Sequence, residues 1–108
     1  MNDKLEEKLM RLRQDFKKKL PEKLADIEVK RLLLDQHFDS ERLADFHLSV
    51  HSLCGSSGTY GFLELGEAAR NLESYIKPLL GSDVISANQK TEISNLLNNL
   101  KHVLNQSL

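Results

Sequence analysis

Residues 47–61, HLSVHSLCGSSGTYG, set two histidines and the chain's single cysteine at spacings of four and three, ahead of a run of small, uncharged side chains. If the segment is helical, His47, His51 and Cys54 fall on one face. Two chemistries fit these residue types. Imidazole and thiolate are zinc ligands, but structural zinc sites generally use four protein ligands and no fourth is evident. Alternatively one histidine acts alone. As a residue type it titrates near about pH 6.5, so a neutral ring with a nucleophilic nitrogen is available at cytosolic pH. On the bland reading His47 sits at the core boundary, hydrogen-bonded. His37 and His102 stand alone at expected surface positions and take no role.

The elements that must position these side chains read as helices. Leu5, Leu9, Leu12, Phe16 and Leu20 recur at spacings of three and four, and Leu24, Ile27 and Leu32–Leu34 continue the stripe. Pro21 interrupts it, and a proline inside a helix removes a backbone hydrogen bond and crowds the preceding turn, so a kink or split is expected there. Asp39 and Ser40 can cap a second helix carrying Leu43, Phe46, Val50 and Leu53. Phe62, Leu65, Ala69, Leu72 and Ile76 mark a third, closed by Lys77-Pro78 and Gly81. Ser86 and Gln89 fit a capping box ahead of Ile93, Leu96, Leu97, Leu100, Val103 and Leu104. Strand alternation appears over no useful length, and no repeat or low-complexity linker divides the 108 residues. Each stripe must be buried against another, so the expected fold is all-α, an antiparallel four-helix bundle forming one domain over residues 1–108.

Composition narrows the function. The net charge of −1 argues against nucleic acid as the main partner. Charge is uneven: residues 1–31 hold ten Lys/Arg against seven Asp/Glu, and the remainder five against nine. The basic run from Arg11 to Lys19 shares its segment with an apolar stripe and reads as a solvated helix face rather than a membrane patch. No apolar run is long enough to cross a bilayer, MNDKLEEK has no hydrophobic signal core, and one cysteine permits no internal disulfide. A cytoplasmic protein is expected. The nucleotide-binding pattern GxxxxGK[ST] is absent, so self-phosphorylation from ATP is not expected.

The geometry of residues 51–61 can then be set out. The stripe Leu43, Phe46, Val50, Leu53 and Ser57 defines the buried direction of its helix, and His51 lies roughly 110° from it, turned toward solvent. Its neighbours at helical spacing are Ala44, Leu48, Gly55 and Gly58; none is charged, where an outward face usually carries Lys and Glu. A bald strip beside a histidine suggests a contact surface for another protein. Each interior glycine costs about 1 kcal/mol relative to alanine, and close approach of another backbone, from the bundle or from a partner, is the usual compensation. Composition alone favours the opposite reading, a helix that stops near Cys54 and a GSSG surface loop.

The stretch HSLCGSSGTYGFLELGEAARNLE resembles the signature of histidine-containing phosphotransfer (HPt) domains, approximately His-x-Leu-Lys-Gly-Ser-Ser-Gly-x-x-Gly followed by Leu-x-x-Leu-Ala-x-x-Leu-Glu. His51 falls on the phosphorylated histidine; Leu53, Gly55, Ser56, Ser57, Gly58 and Gly61 match in register, and Leu65, Ala69, Leu72 and Glu73 follow. FKKKLP at 16–21 is similar to the Phe-x-x-x-Leu-Pro often seen in the first long helix of these domains. The resemblance implies a mid-helix, exposed His51 whose Nε2 accepts a phosphoryl group from one receiver-domain aspartate and passes it to another. It also implies that the following glycines make room for the receiver. The implied partners are a response-regulator receiver domain and a sensor or hybrid histidine kinase, with Leu48, Ser52, Cys54, Gly55 and Gly58 bordering the docking face. Groups that stabilise the transferring phosphoryl come from the receiver, so no cofactor and no enzymatic turnover are expected of this chain. The departure is Cys54, where the family usually has a lysine that attracts phosphoryl oxygens or an acidic cleft. That substitution keeps open a degenerate member that docks a receiver without covalent chemistry, beside the His47/His51/Cys54 zinc bundle.

Overall fold

The computed structural model describes residues 2–108. Four helices follow one another: α1 (Asn2–Gln36), α2 (Ser40–Thr59), α3 (Leu63–Ile76) and α4 (Ala87–Gln106), with a single 3-10 turn at Lys77–Leu79 after α3. Short links make consecutive helices antiparallel neighbours. α3 packs between α2 and α4, and α1 closes the bundle against both. The core is one cluster drawn from all four helices: Leu20 and Ile27 of α1, Phe46 and Val50 of α2, Leu72 and Ile76 of α3, and Ile93, Leu100 and Leu104 of α4 are all essentially sealed from solvent. These lie on the expected stripes, each buried where its neighbour's stripe faces it; Leu5, Leu9, Leu12, Leu32 and Leu33 of the stripe expected for α1 are instead exposed.

The helix ends carry the expected chemistry. Asp39 Oδ1 accepts from the Arg42 backbone N–H at 2.7 Å and starts α2. At α4 the capping box is complete: Gln89 N–H donates to Ser86 Oγ at 3.1 Å, and Ser86 N–H donates to Gln89 Oε1 at 2.8 Å. α2 ends in a Schellman turn. Phe62 N–H donates to Ser57 O at 2.8 Å and Gly61 N–H to Gly58 O at 3.3 Å, with Gly61 at φ +79°, a left-handed conformation that a side chain would strain.

Of the two expected outcomes at Pro21, a kink or a split, the split does not occur. The helix runs from Asn2 to Gln36 with the proline inside it. Pro21 is exposed, while Leu20 and Leu24 on either side are buried. The missing hydrogen bond therefore frees a carbonyl on the solvent-facing side of the helix, and the two leucines hold the backbone to the bundle.

A helix of 35 residues at 1.5 Å per residue is about 52 Å long, close to the 54 Å longest dimension of the molecule. α2 and α4, at 20 residues each, cover only part of it. The bundle closes at Phe16, whose ring stacks on Tyr60 with centroids 4.9 Å apart and meets Phe62 at 5.4 Å. Arg13 lies over the Phe62 ring at 4.8 Å. The turns of α1 before Phe16 project past this aromatic end.

Candidate functional site

The segment after His51 is helix, not loop: α2 continues through Cys54 and both glycines to Thr59. His51 is thus a mid-helix residue, its side chain 62% exposed, as the wheel geometry requires. What the sequence reading missed is its partner. Nδ1 of His51 lies 2.6 Å from Oε1 of Glu73, a half-buried carboxylate that α3 brings up from the neighbouring helix. An ionised carboxylate only accepts hydrogen bonds, so this contact places the ring proton on Nδ1. In the neutral ring Nε2 then keeps its lone pair, on the side of the imidazole opposite Glu73. The pair is a histidine held in one tautomer by an acceptor, the arrangement that orients histidine nucleophiles and bases generally.

His47, one turn earlier, stacks beside His51 with ring centroids 6.0 Å apart. It does sit at the core boundary, but the expected hydrogen bond is not there. Its buried Nε2 has no partner, and the nearest carboxylate oxygen, again Glu73 Oε1, is 3.8 Å away.

Cys54 turns toward α3. Its Sγ donates to the Gly66 carbonyl at 3.5 Å, and the residue is half-buried at the rim of a shallow pocket shared with Gly58, Gly66 and Arg70. The cause is angular: Cys54 lies only about 60° from the buried direction of α2, on the side that α3 covers. His47, His51 and Cys54 are therefore not gathered around a common point, and among the described residues no group of three or more His, Cys, Asp or Glu side chains is placed to hold a metal.

Gly55 and Gly58 are exposed, and a Cβ built at either would have no neighbour within 4 Å. The bundle does not need them bare. Their helix-propensity cost of about 1 kcal/mol each is thus not compensated by internal packing. Gly66 on α3, by contrast, faces a neighbouring helix. There a Cβ would lie 3.5 Å from Ser57 Cβ, 3.6 Å from Gly58 N and 3.7 Å from Cys54 O. These are ordinary van der Waals distances: α2 and α3 pack in direct contact where Gly66 meets the buried Ser57, and the same helix pair brings Glu73 within reach of His51.

On the other flank of α2, Leu48 and Ser52 are exposed and line a groove against Lys19, Glu22, Lys23 and Asp26 of α1, with a volume of about 380 Å³. Its wall is tied by Ser49, whose Oγ accepts from Lys30 Nζ at 2.6 Å and donates to Asp26 Oδ2 at 3.0 Å. The sequence-proposed docking residues thus lie on two faces: Leu48, Ser52, Gly55 and Gly58 open to solvent, Cys54 turned inward. Among the described residues no helix is long and apolar enough to cross a membrane.

Residues 11–105 match the family model described as Hpt domain. No curated protein and no solved structure matches the chain.

Proposed function

From the premise that the chain belongs to the Hpt domain family, the phosphocarriers of phosphorelays, we propose that His51 is its phospho-acceptor, relaying a phosphoryl group between aspartates of receiver domains. The observation that carries this reading is the exposed imidazole with Nδ1 already committed to Glu73. In the forward step the Nε2 lone pair attacks phosphorus of a receiver aspartyl phosphate. The N–P bond forms as the acyl O–P bond breaks, and the aspartate leaves as carboxylate with the bonding pair. The ring becomes a phospho-imidazolium that keeps its proton on Nδ1, where the Glu73 carboxylate offsets the new positive charge. Reversal onto a second aspartate regenerates the neutral ring. This chain supplies a pre-oriented nucleophile and a surface; it acts as a carrier and not as an independent catalyst.

The bare strip beside His51 supports the same reading. Gly55 and Gly58 leave α2 open where a receiver domain has to bring its aspartate within bonding distance of Nε2. Leu48 gives that surface its one large apolar contact, and Ser52 borders it. A sensor or hybrid kinase with its own receiver is the proposed donor, and the proposed location is the cytoplasm. Incubating the protein with a phosphorylated receiver domain tests the assignment directly: acid-labile label should appear on His51, and label on another residue, or none, overturns it.

Two finer predictions belong to the site. Glu73→Leu removes the acceptor at Nδ1 and should slow transfer on the order of tenfold, since the ring loses both tautomer and orientation, while Glu73→Gln, whose amide oxygen can still accept, should retain most of the rate. Stopped-flow transfer from a phosphorylated receiver reads both, and equal losses in the two variants would count against an orienting role. Cys54→Lys places a flexible cation one turn from His51 at the loss of one weak sulfur hydrogen bond. Transfer should become several-fold faster, and an unchanged rate would remove the electrostatic account of this position.

A further inference from the structure

The projecting turns of α1 carry an apolar line that nothing among the described residues covers. Leu5, Leu9 and Leu12 are 59%, 55% and 40% exposed, whereas Phe16, next on the same line, is buried beneath the turn at Tyr60 and Phe62. Spacings of four, three and four are those of a coiled-coil seam, with Leu5 and Leu12 at d positions and Leu9 and Phe16 at a. A free helix of this length would be marginal in water, but this one is the continuation of a helix anchored by the bundle and is therefore already formed. Single exposed leucines need no explanation; three on one line form a patch that does.

We propose that this line is the interface of an antiparallel homodimer, in which the first turns of α1 pair with the same turns of a second copy. The flanking charges choose both the occupant and its direction. Glu6 and Arg13 flank the seam on one side, at e positions, and Lys8 and Asp15 on the other, at g; all four are exposed. In an antiparallel pair, e faces e and g faces g. Setting Leu9 against the partner's Leu12 brings Glu6 beside the partner's Arg13 and Lys8 beside the partner's Asp15, and the two-fold axis repeats both attractions. A parallel, in-register pair instead sets Lys8 against the partner's Arg13, like against like. The antiparallel register also carries Leu5 to the aromatic end of the other bundle, where Phe16 and Phe62 already close the core, so the seam continues an existing apolar surface.

Sedimentation equilibrium of the full chain tests this. The weight-average mass should climb with concentration from 12.3 kDa toward twice that value. Leu9→Lys and Leu12→Lys should each hold the protein monomeric at unchanged helicity, because neither side chain is buried in the bundle. Glu6→Arg should weaken dimerisation at least tenfold, and adding Arg13→Glu to the same chain should restore it. A wild-type chain that stays monomeric at every concentration, as it would if the seam belongs to a different protein, overturns the proposal. So does a dimer indifferent to the leucine replacements, or a paired charge swap that fails to restore it.

Discussion

His51→Gln is expected to abolish phosphoryl uptake outright, with less than about one part in a thousand of the wild-type rate remaining, because glutamine offers no nucleophilic nitrogen lone pair at Nε2's position. Little else should change. His51 is exposed and outside the hydrophobic core, so the substitution leaves the core packing in place and should alter stability by no more than about 0.5 kcal/mol. Binding of an unphosphorylated receiver, measured by calorimetry or by fluorescence anisotropy, should stay within about threefold of wild type. The two readouts separate the relay from the rival reading, in which the same face docks a receiver without covalent chemistry. If the variant still takes up acid-labile phosphate, His51 is not the acceptor. If signalling to a downstream regulator survives the loss of label, the domain works by docking alone.

The second large effect is expected at Gly58 and has opposite signs in two assays. Alanine at Gly55 or Gly58 meets no atom within 4 Å and removes a glycine from a helix interior. Each Gly→Ala variant should therefore stabilise the fold by about 1 kcal/mol, raising the urea midpoint. Leucine at position 58 should leave the isolated protein folded for the same reason, yet it puts a branched side chain onto the strip that the receiver has to approach. Docking should weaken at least tenfold, about 1.4 kcal/mol, with phosphotransfer falling in step. Equal receiver affinity in Gly58→Leu and wild type would show that the partner does not use this face, and a destabilised Gly58→Ala would show that the glycine serves the bundle after all.

Much of this architecture was legible in the residues. The apolar stripes at three- and four-residue spacing place the buried faces of all four helices, and Asp39 and the Ser86/Gln89 pair mark two helix starts because capping is a local hydrogen-bonding event. Exposure of His51 followed from its angle to the stripe, which depends only on the turn of a helix. Local composition misled around GSSG. Glycine and serine weaken a helix locally, but Leu53 and Ser57 are buried on its inner face and the Schellman turn at Gly61 ends it later. At Pro21 the helix stays unbroken, since tertiary anchoring at Leu20 and Leu24 outweighs one lost backbone bond.

The contact between His51 and Glu73 could not be read from spacing. The two residues are 22 positions apart on different helices, and their meeting depends on how α2 and α3 pack against each other. The sequence did show Glu73 as a member of the motif that follows the glycines. Its task, however, becomes visible only when the hairpin is built. The inward turn of Cys54 was available from the wheel, at about 60° from the stripe, but its significance required knowing on which side α3 lies.

The tight reversal at Gly61 has a consequence for how the His51–Glu73 pairing is kept. Because only three residues separate the two helices, the phase of one against the other is set by covalent connectivity as well as by side-chain fit. The hairpin works as a ruler: counting back from the bend along one arm and forward along the other reaches the imidazole and its carboxylate at matching heights.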